Sequence, residues 1–181
     1  MVTLYYLRRF VKFWNSRFSS CQIDSIHISS ELKELFDKVL KLFDENTGIL
    51  ANGFSNKERR QFVDVLGKAG EDYRNSVYSN LIGETKKKIQ TAELTRFSQL
   101  TLNYIDQSIR VNKRTDGLYH AYNLVRFESG EITLRHLYEM LEGQVAVISS
   151  GYLSASENLS VLDALKKSDL YRKNQNSRSE E

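Results

Sequence analysis

The sequence predicts a mainly α-helical fold of about six or seven amphipathic helices. Proline is absent from all 181 residues, so the residue that most often interrupts a helix is missing. Apolar side chains recur at spacings of three and four, and serine precedes several of these runs, as helix N-caps do. A hydrophobic content of 40% and a charged content of 27% are typical of a folded domain and exclude a disordered chain.

The first 22 residues predict a basic amphipathic helix, because an apolar stripe repeats at helical spacing before the first acid, Asp24. The stripe holds Leu4, Leu7, Val11, Trp14 and Phe18; Tyr6, Phe10 and Phe13 widen it, and the basic residues are Arg8, Arg9, Lys12 and Arg17. The general preference for packed helices favours docking of the aromatic face on the core. A helix on a membrane surface and an organellar transit peptide are the alternatives.

No membrane span or lipoprotein signal is predicted. Lys12 and Arg17 interrupt the apolar stretch that such a signal needs, and no apolar run approaches the length of a span. Peripheral membrane contact through residues 1–20 is still an interpretation that fits. The predicted location is cytoplasmic, or organellar if residues 1–23 are a transit peptide.

Residues 23–171 predict a helical domain, in which serine caps and glycines mark the helix ends. Joined by short turns, these helices would bury their stripes as stacked pairs, as in part of an α/α toroid. The predicted helices run from Ser30 to about residue 46, from Asn56 to about Gly67, from Tyr73 to Ile82, from Ala92 to Asn112, from Leu134 to about Gly151, and from Ala155 to about Leu165.

Three segments depart from the helical pattern. Residues 118–133 predict one short β-hairpin, because the apolar spacing is ragged there and "ESGE" is typical of a turn. The lysine run at residues 86–88 predicts a solvated helix start rather than an anion site. The polar tail at residues 172–181 predicts disorder.

The stretch "DGLYHAYN", residues 116–123, combines a turn signal with donors, acceptors and aromatic faces. Such a set suits a sugar, because aromatic rings cover the apolar side of a pyranose while short polar groups bind its hydroxyls. The competing interpretation, which the frequency of aromatic clusters in cores favours, is a packed turn. The candidate ligand-binding residues are Asp116, Tyr119, His120, Tyr122 and Asn123.

Other chemistry has little support in the sequence. Glu139 and Glu142 would share a helix face and could act as an acid and base pair, although exposed glutamates at that spacing are common. One cysteine and three scattered histidines predict no metal site, and the absence of nucleotide and zinc-peptidase motifs predicts no cofactor. A net charge of only +3 gives no reason to expect nucleic acid.

Four segments carry a resemblance to known proteins: "FSNKERRQFVDVLGKAGEDYR", "NKRTDGLYHAYNLV", "LYEMLEGQVAVISSGYLS" and "VLDALKKSDLYR". They resemble consecutive stretches of long, poorly characterised bacterial proteins. The resemblance implies a carbohydrate-related protein with a helical toroid like that of glycoside hydrolases. Because the similar proteins continue where this chain ends in "NQNSRSEE", it also implies a truncated product that is not active as an enzyme alone.

Two functional hypotheses follow. The first is a fragment of a carbohydrate-binding or carbohydrate-processing protein, whose ligand contacts residues 116–123. The second is a non-catalytic helical module that docks on a protein partner or a membrane surface through its N-terminal helix.

Overall fold

A computed structural model of the protein describes residues 1–79 and 83–172 and the backbone of 177–178. The described part is mainly helical, with short two-stranded sheets formed by β1 with β2, β3 with β4, and β5 with β6. The helices are α1 Val2–Ser20, α2 Ser30–Glu45, α3 Ile49–Asn52, α4 Asn56–Tyr78, α5 Thr91–Val111, α6 Leu141–Ser149 and α7 Ala155–Lys167. The strands are β1 Ser25–Ser29, β2 Lys86–Gln90, β3 Asn123–Glu128, β4 Glu131–His136, β5 Tyr171–Arg172 and β6 Ser177–Arg178. The predicted mainly α fold with one short hairpin is confirmed.

The chain divides into two compact units, and the divisions fall inside α1, inside α5 and inside the hairpin of β3 and β4. Unit 1 consists of residues 1–11, 104–126 and the described residues from 133 onward. Unit 2 consists of the described residues of 12–103 together with 127–132. The toroid-like stacking of helix pairs stays a prediction.

Phenylalanine rings form the interior of unit 2. Phe43 of α2 stacks on Phe62 of α4 and on Phe97 of α5, with 5.8 Å between ring centroids in each pair. Phe36 of α2 meets Phe97 at 5.0 Å. These contacts join three helices, and stacked or tilted rings at such distances add to the free energy gained by burying their area.

Helix α4 is a single helix of 23 residues, so the two predicted helices at 56–67 and from Tyr73 are wrong as separate elements. Its predicted capping box is confirmed, since Ser55 and Glu58 bond each other's backbone amides. Gly67 lies inside the helix because a glycine there costs only about 1 kcal/mol, which the flanking helical residues offset. Leu81 and Ile82 of the predicted third helix lie outside the described residues.

The lysine run is a strand, not the predicted helix start. β2 pairs with β1 in an antiparallel register that places Ile89 opposite Ile26 and Lys88 opposite His27. Ile89 is almost fully buried while the lysines are exposed. The side chain of Ile89 therefore anchors β2 in unit 2. A five-residue strand with a distant partner leaves only a weak pattern in the sequence.

The hairpin lies later than predicted, at residues 123–136 instead of 118–133. Gly130 has a φ of 81° at the tip, as the turn signal predicts. The helix predicted from Leu134 is wrong over its first half, because Leu134 lies in β4 and α6 begins at Leu141. In β4 the nearly complete burial of Ile132 outweighs the helical spacing of the two following leucines.

The remaining predicted helices, α1, α2, α5 and α7, are confirmed. Ser29 caps α2, and α7 begins with the capping box of Ser154 and Glu157. Of the tail predicted to be disordered, residues 173–176 and 179–181 lie outside the described residues, while Arg172 pairs with Ser177 in a two-residue strand pair.

Apolar side chains from α1, α5, α6 and α7 meet in the core of unit 1. The buried members are Tyr5, Ile105, Ile109, Leu118, Tyr119, Ala146, Val147, Leu153, Val161, Leu165 and Leu170. A polar contact crosses this core: Arg8 of α1 pairs with Asp106 of α5 through two hydrogen bonds and donates a third to the carbonyl of Ser150 at 3.0 Å. Arg8 is only 6% exposed.

Arg8→Ala should lower the free energy of unfolding by about 2 kcal/mol, because it leaves Asp106 and a buried carbonyl without their donor. The value is lower than for a fully buried pair, since the side chain of Asp106 is 34% exposed. Urea unfolding measures the change. Arg9→Ala, on an exposed turn of the same helix, is the matched control and should change stability by less than about 0.5 kcal/mol. Equal effects of the two substitutions would contradict this account.

Candidate functional site

The first half of the predicted site, residues 116–118, is an ordered turn. Gly117 has a φ of 87°, and the Arg114 amide donates to the carbonyl of Leu118 at 2.8 Å. Asp116 accepts from the Leu118 amide and from the guanidinium of Arg114, which holds the pKa of Asp116 below its usual range. The carboxylate is therefore already engaged within the turn.

The next residues are anchored in the core of unit 1. Leu118, Tyr119 and Ala121 are each at most 2% exposed. Gln144 of α6 accepts from the Tyr119 amide at 2.9 Å and donates to the Tyr119 carbonyl at 2.8 Å. Its side chain thus makes the two backbone hydrogen bonds that a neighbouring β-strand would otherwise make. Burial raises the pKa of Tyr119 to about 12. Tyr119 thus belongs to the packed turn that the competing interpretation predicted.

His120 and His136 form a stacked pair, with ring centroids 4.0 Å apart and planes 9° from parallel. Asn123 bonds Nδ1 of His136 at 2.9 Å and also donates to Asn112. The sequence indicated His120 and Asn123 but not His136 or Asn112. Neither could have been found by spacing, because the hairpin brings His136 back to the turn and α5 brings Asn112.

Tyr122 is the most exposed aromatic residue of the predicted set, at 40%. Its hydroxyl shares a hydrogen bond with Glu142, which raises the pKa of Tyr122. Glu139 precedes α6 and pairs with Arg114 at 3.2 Å, so the predicted shared helix face of Glu139 and Glu142 is wrong. Of the five predicted ligand residues, Asp116, Tyr119 and Asn123 hold the turn together, and His120 and Tyr122 lie beside it.

An open cleft of about 950 Å³ lies in unit 2, near the exposed Cys21. Lys88 and Arg96 line it, but Asp24 also lines it and Arg96 pairs with Asp44 at 2.8 Å. Within the described residues, no three His, Cys, Asp or Glu side chains are grouped so that they could hold a metal ion.

Helix α1 exposes most of its aromatic side chains to solvent, with Tyr5 as the buried exception. The expected docking on the core is wrong for the aromatic residues of the central turns, which are all more than 40% exposed, whereas Leu4 and Val11 of the predicted stripe do pack against the core of unit 1. This surface, here called the aromatic face, consists of Tyr6 (46% exposed), Leu7 (42%), Phe10 (61%), Phe13 (51%) and Trp14 (41%). Spacings of one, three, three and one place these residues on one side of the helix.

Polar groups on the opposite side of α1 set this orientation. Arg8 bonds Asp106, and the Tyr5 hydroxyl donates to the carbonyl of His120 at 3.0 Å, both within unit 1. In unit 2, the Asn15 amide donates to Ser98 at 2.8 Å. The predicted stripe was correct in its periodicity, but hydrogen-bonding partners far along the chain decide which side is buried.

The exposed side of α1 is basic as well as aromatic. Arg9, Lys12 and Arg17 are exposed, and the helix contains no acid. The Arg17 guanidinium lies over the ring of Phe13 at 5.0 Å, and the Trp14 ring lies 5.6 Å from that of Phe13. In the part of the chain that the structure describes, no helix combines the length and apolar character that crossing a bilayer requires.

Gly143→Ala should destabilise the protein by about 1–3 kcal/mol, because the new methyl group would lie 2.9 Å from Cβ of Ala121 and 3.0 Å from its Cα. In the wild type, the absence of a side chain at Gly143 lets the backbone of α6 pack against residues 119–123. Gly67→Ala in α4 is the control, since nothing lies within 4 Å of its added methyl group. That substitution should stabilise the protein by up to about 1 kcal/mol. Thermal unfolding measures both, and a neutral Gly143→Ala would show that α6 does not fix the segment.

Comparison with known proteins finds no family model and no curated relative that matches the chain. The resemblance to long bacterial proteins therefore stays a prediction.

Proposed function

We propose that the protein is a non-catalytic module that binds anionic membrane surfaces through α1. One observation carries the proposal: an acid-free, basic helix leaves its aromatic face exposed. Single exposed apolar residues are ordinary on soluble proteins, but a contiguous set on one helix is typical of an interaction surface.

The composition of the face favours a lipid interface. Phe10, Phe13 and Trp14 supply large apolar surfaces, and tryptophan and tyrosine rings are enriched where lipid headgroups meet the acyl chains. Burying two or three such rings would contribute about 1.5–3 kcal/mol each. A helix lying in the plane of the interface uses its whole length for this contact.

The charges favour an anionic surface over a protein partner. Arg17 lies within the aromatic face and Arg9 beside it, Lys12 is exposed on the flank that carries Arg8, and the helix contains no acid. Each basic residue near an anionic leaflet contributes about 1 kcal/mol. Long basic side chains also extend from an apolar contact toward headgroup phosphates, which a dry protein interface does not offer.

The combined substitution Phe10→Ser and Trp14→Ser should weaken binding to phosphatidylglycerol-containing vesicles about a hundredfold, because it removes two rings that enter the interface. Vesicle co-sedimentation of the full chain measures this. Leu159→Ser, which changes an apolar residue of α7 that is 60% exposed, is the matched control and should leave binding unchanged.

A charge variant with Arg9→Gln, Lys12→Gln and Arg17→Gln should reduce the same binding to a similar extent and remove its dependence on anionic lipid. No vesicle binding by the well-folded chain would overturn the proposal and leave a protein partner as the occupant of α1.

A carbohydrate ligand is the second candidate function. The observation that favours it is the exposed ring of Tyr122 with the Glu142 carboxylate at its hydroxyl, two residues along the chain from His120 of the stacked pair. An aromatic face beside hydrogen-bonding groups suits one sugar ring, and the packed turn behind it would keep these groups in place.

Tyr122→Ala and His120→Ala should each abolish a glycan-dependent rise in melting temperature, because the first removes the platform and the second removes a neighbouring polar group. A glycan array followed by thermal shift with any responding glycan measures this. Tyr138→Ala is the control, since that tyrosine is 62% exposed and was not part of the predicted site. A well-folded chain that responds to no glycan would contradict the carbohydrate hypothesis.

A further inference from the structure

The stacked histidines of unit 1 lie at the end of a directed chain of hydrogen bonds. The Asn112 side-chain amide donates to the carbonyl of Ser108 at 2.8 Å, which leaves its oxygen to accept from Asn123. Asn123 therefore presents its own oxygen to Nδ1 of His136. That nitrogen must be the donor, so a second proton on His136 is taken by Nε2.

His120 is less able to accept a proton. Its Nδ1 is buried without a hydrogen-bond partner, so a proton placed there would point at no acceptor. Burial, the neighbouring His136 and the charge of Arg114 lower the pKa of His120, while a hydrogen bond to the backbone of Leu137 and the carboxylate of Asp116 oppose the shift. Charging both rings at a separation of 4.0 Å adds direct repulsion.

The other charged groups of this region are already paired or lie on its outer side. Glu139 pairs with Arg114, and Glu142 bonds the hydroxyl of Tyr122. The amino group of Met1 is partly buried at the start of α1, and burial lowers its pKa. Among the described residues, the carboxylates of Asp116, Glu139 and Glu142 near this pair are thus already engaged with Arg114 or Tyr122.

Residues 120–121 also accept hydrogen bonds from the N-terminal half of α1. The Tyr5 hydroxyl donates to the His120 carbonyl at 3.0 Å, and the Val2 amide donates to the Ala121 carbonyl at 3.1 Å. Tyr5 is fully buried, so its hydroxyl has no access to water as an alternative partner. Any movement of residues 120–121 is therefore transmitted directly to the first two turns of α1.

We propose that the stack of His120 and His136 is a pH-sensitive latch that holds the N-terminal half of α1 when both rings are neutral and loosens it when both are charged. The sign follows from the folded state's preference for neutral His120. With its pKa lowered on folding, the latch contributes full stability above the ordinary histidine pKa, about 6.5, and loses it as the pH falls toward the lowered value. A loosened α1 can sink further into a lipid interface, and this consequence, unlike the latch, rests on the proposed membrane function.

Hydrogen exchange of the full chain without lipid tests the latch. The protection factors of residues 2–8, corrected for intrinsic exchange, should fall on the order of tenfold between pH 7.5 and pH 5.5, as local opening becomes easier. His120→Gln and His136→Gln should each remove this dependence, because an uncharged amide replaces one ring. His27→Gln, in β1 of unit 2, is the matched control and should retain it. His136 is exposed, so its variant keeps the test decisive if His120→Gln does not fold.

Vesicle binding at the two pH values separates the latch from the membrane function. Phosphatidylglycerol vesicles keep their charge over this range, and the wild-type chain should bind them more tightly at pH 5.5 than His120→Gln does. Exchange that depends on pH without vesicle binding at either pH would support the latch and contradict the membrane function. Vesicle binding with pH-independent exchange in the wild type would overturn the latch and leave the membrane function standing.

Discussion

The contact between Arg8 and Asp106 is the constraint on which the orientation of α1 depends. A guanidinium that is 6% exposed must keep its carboxylate and carbonyl partners, since losing them would leave a buried charge unpaired. The Tyr5 hydroxyl adds a second directed contact three residues earlier. Together they fix the rotation of the helix about its axis within unit 1. The aromatic face is exposed because the polar contacts of Arg8 and Tyr5, together with the packing of Leu4 and Val11 on the core, turn the other side of the helix toward unit 1.

A second constraint fixes residues 119–121, the segment to which α1 is hydrogen-bonded. Gln144 bonds both backbone groups of Tyr119, and Gly143 lets the backbone of α6 come within van der Waals contact of Ala121. Neither residue belongs to the stretch that the sequence singled out, yet they explain why it is ordered. A buried amide with all its hydrogen bonds satisfied specifies one arrangement, because any displacement would leave a polar group without a partner. The turn at Gly117 and the stacked histidines are thereby kept in a fixed relation to α1.

The sequence predicts the features that depend on neighbouring residues, but not those that depend on contacts between distant parts of the chain. The capping boxes at Ser55 and Ser154 and the glycine turn at Gly130 depend on neighbouring residues, so their chemistry is visible in a short window. The pairing of β1 with β2, the late start of α6 and the histidine stack depend on partners brought together by folding. The aromatic face shows the limit most clearly. Its period predicted the helix, but partners far along the chain, such as Asp106 and His120, determine which side of α1 faces solvent.

Because Arg17 lies within the aromatic face, packing this face on a protein core would be unfavourable. At helical spacing it falls between Phe10, Phe13 and Trp14, and its guanidinium lies over the Phe13 ring. Turning this face inward would gain about 1.5–3 kcal/mol per ring, but it would bury Arg17 on a helix without acids and break the contacts of Arg8. At a lipid interface both requirements are met, because the rings enter the apolar layer while the arginine reaches the headgroups. The position of one basic residue inside an aromatic stripe therefore favours a surface that is apolar on one side and anionic on the other.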